Sequence, residues 1–134
     1  DHTPGTDNGV AGVVIGGNAS TTMHGYYYMT SPIINAAGAT KLYLGFWRWL
    51  NSDYLPYMQN SVEVFNGSSW VVVWQSGSYP AVQDAAWSQQ SFDISAHANA
   101  NLRVRFGHLV GSAGVFTVSA WNVDDVTVTK VTCN

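Results

Sequence analysis

The sequence predicts an all-β fold made of antiparallel strands, and three observations support this prediction. β-branched and aromatic residues cluster in short runs that Gly, Asn, Ser and Pro interrupt, a pattern typical of strands joined by turns. Apolar residues alternate with arginines in Leu102–Phe106, as in a strand with one buried and one solvent-facing side. Asn66-Gly67 separates two apolar runs, and this dipeptide predicts a tight hairpin over Glu63–Trp74. Repeated short strands joined by turns indicate a sandwich or a barrel.

The predicted strands follow one another along the whole chain. They lie near Gly9–Ile15, Tyr26–Thr30, Lys41–Trp49, Ser61–Phe65, Trp70–Gln75, Trp87–Asp93, Leu102–Phe106, Val115–Ser119 and Asn122–Thr129. The one helical candidate is the segment Ser95–Ala100, where Ser95 can cap a single turn. A plain connecting loop is the alternative for this segment. The sequence contains no internal repeat, linker or low-complexity tract.

Length and composition restrict the classes of protein to which this chain can belong. Its 134 residues suffice for one domain with a proper core. Charged residues make up only 10% of the chain, against about 25% in typical soluble domains, and such a polar, uncharged surface suits an extracellular protein or a sugar binder. The net charge of −3 and the lack of a basic stripe argue against a nucleic-acid partner. No apolar run reaches the roughly 18 residues that span a membrane.

The single cysteine, Cys133, lies next to the last residue of the sequence. A domain held together by disulfides has an even set of cysteines. Cys133 therefore either pairs with a cysteine outside this segment or is a free thiol. The first residues show no basic segment followed by an apolar stretch, so the sequence as given carries no signal peptide.

Four stretches occur in an order that is typical of one family. They are Asp1-His2-Thr3 with Asp7-Asn8-Gly9, Leu44-Gly45-Phe46-Trp47, Trp74-Gln75-Ser76-Gly77 with Trp87-Ser88-Gln89, and Trp121-Asn122-Val123-Asp124-Asp125-Val126. In this order they resemble the opening loop and first strand, the central strand, the hairpin region and the closing strand of the MAM domain and its bacterial MAM-like relatives. They cover almost the whole chain, and the closing Asp-Asp pair is the most specific of them.

The resemblance implies an antiparallel jelly-roll β-sandwich over residues 1–134, as a single domain. It also implies a secreted or extracellular protein. Animal members of the family mediate adhesion and oligomerisation, whereas bacterial relatives are attached to secreted peptidases, glycoside hydrolases and surface proteins. This sequence lacks the disulfide cysteines of the animal members, which points to a bacterial origin.

Two adjacent carboxylates near the end of the chain suggest a structural Ca²⁺ site. The apolar alternation slips by one residue at Asp124-Asp125, which predicts a β-bulge there and at least one inward or edge-facing carboxylate. Ca²⁺ is a good partner for a buried carboxylate because it takes six to eight oxygen ligands. The resemblance implies that the opening loop lies beside this strand, so the predicted ligands are Asp1, Thr3, Asp7, Asn8, Asp124 and Asp125. The alternative is that these aspartates accept backbone N–H bonds from a loop.

Aromatic residues in and after the strand Lys41–Trp49 form the second candidate site. Phe46, Arg48 and Leu50 share one face and Trp47 and Trp49 the other, so one of these faces is core. The loop that follows adds tyrosines, an acid and amides. Flat aromatic rings and planar polar groups are the side chains that bind sugars, so the predicted ligand-binding residues are Trp49, Asp53, Tyr54, Tyr57, Gln59 and Asn60. The alternative is that these aromatic residues are core and that the loop merely packs on the sheet.

The sequence shows no catalytic motif. The four histidines, His2, His24, His97 and His108, have no zinc-binding spacing, and no G-x-S-x-G elbow is present. We therefore expect a non-catalytic module that holds a secreted bacterial enzyme or adhesin against a glycan or surface polymer. The alternatives are a protein–protein adhesion or assembly module, and a purely structural accessory domain of a secreted protease.

Overall fold

The chain folds into two antiparallel sheets that pack face to face. A computed structural model describes residues 1–132, and of these the side chains at 118 and 119 are not described; Cys133 lies outside the described residues. The strands are β1 (Ala11–Gly12), β2 (His24–Thr30), β3 (Lys41–Ser52), β4 (Met58–Phe65), β5 (Trp70–Gln75), β6 (Val82–Gln83), β7 (Ser88–Asp93), β8 (Arg103–Val110) and β9 (Val118–Val131). The described residues contain no helix long and apolar enough to cross a membrane.

Each sheet is assembled from strands that are distant in sequence. The first sheet has the order β1-β9-β3, and both β6 and β7 pair with the free edge of β3. The second sheet has the order β2-β8-β4-β5. All pairs are antiparallel. The prediction of an all-β, antiparallel sandwich is confirmed, and its finer assignment as a jelly roll stays a prediction.

The core lies between the two sheets and is built from alternate residues of the strands. Its buried apolar side chains include Leu42, Leu44, Phe46, Leu50, Val62, Val64, Leu102, Val104, Phe106, Trp121 and Val123. Phe46 and Leu50 therefore identify the inward face of β3, so Trp47 and Trp49 lie on its outward face. Arg48 occupies an inward position, where its guanidinium lies over the Trp74 ring and is paired with Asp84 by two hydrogen bonds of 2.8 and 2.9 Å.

The predicted hairpin and the predicted bulge are both present. β4 and β5 pair on either side of Asn66-Gly67, and Gly67 has the positive φ of 99° that such a turn requires. The register of β3 and β9 shifts between Gly45 and Trp47, opposite Asp124 and Thr127. Asp125, within this bulge, has a φ of 49°, which few residues other than Gly, Asn and Asp tolerate.

Three local predictions were wrong. The predicted single helical turn is present as a 3-10 helix at Ser95–His97, but the predicted Ser95 cap is wrong. The N-cap residue is Ile94, and no side chain caps the turn. The Ser95 hydroxyl instead bonds the Asp93 carboxylate at 2.5 Å. The two strands predicted near the end of the chain are one strand, β9. The first predicted strand shrinks to Ala11–Gly12, because among the described residues of this segment these two form the ladder with β9.

Candidate functional site

Three loops meet at the end of β3 and enclose an aromatic cleft of about 560 Å³. We call it the tyrosine cleft and define it by Tyr54, Tyr57, Tyr79, Gln83, Phe116 and Thr117. Tyr54 and Tyr57 follow β3, Tyr79 precedes β6, and Phe116 precedes β9. The loop Asp53–Tyr57 that the sequence singled out thus forms one wall of this cleft, and the other walls come from segments far away in the chain.

Asp53 holds two of these loops together. Its side chain is buried, and its carboxylate accepts a hydrogen bond of 2.9 Å from the Tyr54 N–H and another of 2.9 Å from the Phe116 N–H. A carboxylate that accepts backbone N–H groups from two loops fixes their separation. Asp53 therefore positions the walls of the cleft, and its oxygen atoms are already engaged within the protein.

The tyrosine rings support one another edge to face. Tyr54 contacts Tyr57 with ring centroids 5.7 Å apart and Tyr79 with centroids 5.3 Å apart, both at 82°. Tyr79 is 80% exposed and Phe116 is 93% exposed, although burial of such rings is normally favourable. Each tyrosine hydroxyl can donate and accept hydrogen bonds. The cleft thus offers flat apolar faces next to polar groups.

The remaining two predicted residues of this loop region, Gln59 and Asn60, lie on strand β4 and bond within the protein. The Gln59 Oε1 accepts a 2.7 Å bond from the Tyr26 hydroxyl, and its Nε2 donates to the Ser76 carbonyl at 3.0 Å. Asn60 is fully buried, and its Nδ2 donates to the Ser52 hydroxyl at 2.7 Å. Both amides thus bond within the protein, Asn60 in the interior and Gln59 at a half-buried position, and neither lines the tyrosine cleft.

Trp49, the sixth predicted ligand-binding residue, lies in a second cleft, of about 630 Å³. We call it the tryptophan cleft and define it by Asp1, Trp49, Asn51, Asp84, Trp87 and Asn122. The Trp49 and Trp87 rings contact each other edge to face, with centroids 5.8 Å apart. Trp49 is 37% exposed, whereas the neighbouring Trp47 is covered by the His2 ring, which stacks on it at 3.6 Å.

One polar atom of the tryptophan cleft has no partner. The Oδ1 atom of Asn122 is buried and makes no hydrogen bond with any described residue. An unpaired buried acceptor costs free energy, and this atom packs against Gly12, where an added Cβ would lie 2.5 Å from it. By contrast, the Asp84 carboxylate is used, since it pairs with Arg48 and accepts the Leu50 N–H at 2.9 Å.

The aspartates of the β9 bulge lie beside the opening loop, as the resemblance implies. Both Asp124 oxygens accept backbone N–H bonds of 2.8 Å, one from His2 and one from Asp125. The Asp125 carboxylate is bonded by the Thr3 hydroxyl at 2.5 Å and lies 2.9 Å from the His2 Nδ1 atom. These hydrogen bonds, the one from Thr3 first, hold the pKa of Asp125 below its usual value.

This arrangement matches the alternative in which loop N–H groups satisfy the aspartates. The other predicted ligands also bond locally, since the Asp1 carboxylate accepts the Thr3 N–H and the Asp7 carboxylate accepts the Gly9 N–H. Asn8 lies between these residues in the exposed opening loop. Within residues 1–132, no group of three or more His, Cys, Asp and Glu side chains is placed to hold a metal ion. The carboxylates of Asp1, Asp7, Asp124 and Asp125 thus already accept hydrogen bonds within the protein, and the Ca²⁺ site stays a prediction.

The second sheet contains a buried histidine, His108, whose pKa is strongly lowered. His108, on β8, is buried, with its Nδ1 atom 2.8 Å from the Asn60 Oδ1 and its ring 5.3 Å from that of His24. Burial above all, together with the nearby His24, lowers the pKa of His108 to about 4. The imidazole is therefore neutral near neutral pH. With Asn60 it belongs to a buried chain of hydrogen bonds that reaches Ser52 and Ser76.

Strand β2 presents an apolar edge on the second sheet. Met23, Tyr27, Tyr28 and Met29 are all exposed there, and together with Val13, Val14 and others they surround a cleft of about 510 Å³. β2 pairs only with β8 among the described strands, so its other edge is unpaired. Exposed apolar side chains on an unpaired edge are typical of a surface that meets another chain.

Comparison with known proteins adds no relative to this picture. The chain matches no protein-family model and no curated protein. The resemblance to MAM domains stays a prediction, and the function has to be argued from the clefts themselves.

Proposed function

We propose that this chain is a non-catalytic glycan-binding module of a secreted bacterial protein, and that sugar binds in the tyrosine cleft. The observation that carries the proposal is the cluster formed by the half-buried Tyr54 and Tyr57 and the exposed Tyr79, beside the Gln83 amide. Such a module would hold an attached enzyme or adhesin against a glycan or a surface polymer.

The chemistry of the cleft suits a sugar better than an apolar molecule. Sugar rings present C–H faces that stack on aromatic side chains, and they present hydroxyls that pair with amides and phenols. The volume of about 560 Å³ lies within the range of about 300–1,000 Å³ that small-molecule sites occupy. Asp53 fixes the loops before any ligand arrives, and a preformed site loses less entropy on binding.

Retention on immobilised polysaccharides tests this proposal. We would pass the protein over cellulose, xylan, chitin and laminarin and compare it with the variants Tyr54→Ala and Tyr79→Ala. Tyr27→Ala is the matched control, because Tyr27 is an exposed tyrosine on the other sheet. We expect selective retention that both cleft variants lose and that Tyr27→Ala keeps. Retention that is unchanged in both cleft variants would remove the cleft from the site.

Assembly with a second copy of the chain is the second candidate function, and the apolar edge of β2 favours it. An unpaired edge strand can pair antiparallel with its own copy across a twofold axis. Light scattering over a range of concentrations tests this candidate. It predicts concentration-dependent dimers that Tyr27→Lys and Met29→Lys disrupt, whereas a monomer at all concentrations contradicts it. A chain that neither binds a polysaccharide nor dimerises would favour the purely structural accessory role.

A further inference from the structure

The tyrosine and tryptophan clefts lie next to each other along one face of β3. Side chains alternate between the two faces of a strand, so Trp49 and Asn51 share the outward face. Both residues line the tryptophan cleft. β3 ends at Ser52, and Asp53 and Tyr54, which follow at once, line the tyrosine cleft. The two clefts are thus consecutive along the chain as well as on the surface.

A pair of amides joins the two clefts. Asn51 on β3 lies directly opposite Gln83 on β6, and residues that face each other across two strands project from the same side of the sheet. Asn51 lines the tryptophan cleft, and Gln83 lines the tyrosine cleft. The boundary between the clefts is therefore polar on both sides and offers donors and acceptors to a ligand that crosses it.

We propose that the tryptophan cleft is a second sugar subsite, and that the two clefts together bind one extended glycan chain. Trp49 provides an exposed aromatic face, supported edge-on by Trp87. The Asn51 amide, which lines the same cleft, provides donors and an acceptor for sugar hydroxyls. This inference rests on the proposed glycan-binding function and adds to it that the ligand is an internal stretch of a polysaccharide, longer than the terminal sugar of a branch.

The inference predicts that affinity depends on chain length. A disaccharide can occupy one cleft, whereas a longer oligosaccharide crosses the Asn51–Gln83 boundary and gains the second cleft at a high effective concentration. We therefore expect a hexasaccharide to bind at least about tenfold tighter than a disaccharide of the same sugar. Because Trp49 and Trp87 lie in the second cleft, tryptophan emission should change with the hexasaccharide and remain nearly constant with the disaccharide.

The experiment is a calorimetric and fluorescence titration with cello-, xylo-, chito- and laminari-oligosaccharides, each as disaccharide and hexasaccharide. Trp49→Ala should reduce hexasaccharide affinity to that of the disaccharide and leave disaccharide binding unchanged. Trp49→Phe keeps an aromatic face and should retain most of the gain. Asn51→Ala removes the joining amide on the tryptophan-cleft side without altering either aromatic cluster, and it should also lower hexasaccharide affinity alone.

Three different failures can be told apart. Equal affinity for disaccharide and hexasaccharide, with no effect of Trp49→Ala on either, would overturn the extended site while leaving a sugar site in the tyrosine cleft. No binding of any oligosaccharide, together with no retention on any polysaccharide, would overturn the proposed function and the extended site with it. Hexasaccharide binding that Trp49→Ala abolishes but Tyr54→Ala and Tyr79→Ala leave intact would place the ligand in the tryptophan cleft alone and would also refute a shared site.

Discussion

Acidification should destabilise this domain well before its carboxylates are protonated, because His108 is buried in its neutral form. Its ring lies between strands β2 and β4, near His24 and hydrogen-bonded to the Asn60 Oδ1 at 2.8 Å. Burial, and secondarily the neighbouring His24, lower the pKa of His108 from 6.5 to about 4. Once the chain unfolds, this histidine regains its ordinary pKa and takes up a proton readily.

The sign and the size of the effect follow from these two pKa values. Above pH 6.5 the histidine is neutral in both states, so the full stability is present. As the pH falls from 6.5 towards 4, the unfolded state binds a proton that the folded state does not, and the free energy of unfolding decreases. With about 1.4 kcal/mol for each pKa unit, the loss amounts to about 3 kcal/mol at most. That is a large share of the roughly 5–15 kcal/mol by which such domains are stable.

Urea unfolding, followed by tryptophan fluorescence at several pH values between about pH 7 and pH 4, measures this loss. The comparison is with His108→Gln, whose amide can still donate to Asn60 but does not titrate. We expect the variant to be less stable near neutral pH and to lose little further stability down to pH 4. His24→Gln removes the neighbouring ring charge, so the pKa of His108 should rise and the loss should shrink. Parallel pH profiles for wild type and His108→Gln would refute the reasoning.

Two further predictions concern carboxylates. Glu63→Gln should destabilise the domain by about 2–4 kcal/mol. Glu63 is buried and pairs with Arg105, whose side chain is only 18% exposed. The control is Lys41→Gln, which breaks an exposed ion pair and should have little effect in the same urea titration. Asp125→Ala should lower the melting temperature to the same extent in calcium and in EDTA, because Thr3 and His2 already bond this carboxylate. A rise of the wild-type melting temperature in calcium that Asp125→Ala abolishes would establish the predicted ion instead.

Local sequence patterns predicted the features that depend on neighbouring residues. The span of β5 was predicted as observed, because an uninterrupted apolar run ends at turn residues on both sides. The Asn66-Gly67 hairpin and the bulge at Asp124-Asp125 could also be predicted, since a dipeptide conformation and a slipped alternation are visible along the chain. β6 could not be predicted, because Val82–Gln83 is a strand only through its pairing with β3.

In the candidate site, too, the sequence predicted the residues that are close together in the chain and missed those that only the fold brings near. The sequence alone indicated an aromatic loop after β3, and Tyr54 and Tyr57 do line a cleft. Tyr79 and Phe116 gave no signal, because a single exposed aromatic residue in a loop looks the same whether or not a cleft forms beside it. Trp87 and Asn122 were predicted only as the first residues of two strands and as parts of the family resemblance, and nothing in the local pattern linked them to Trp49.

By itself, the sequence determined that this chain forms antiparallel strands, and where the Asn66-Gly67 hairpin and the β9 bulge lie. These properties follow from backbone preferences and from a two-residue alternation, which act over a few residues. Only the tertiary structure decided that the Asn60 and Gln59 amides bond within the protein, that His2 covers Trp47, and that Trp49 remains exposed. The physical reason is that a cleft is formed by contacts between strands and loops distant in sequence, and the pairing of those strands determines which side chains meet.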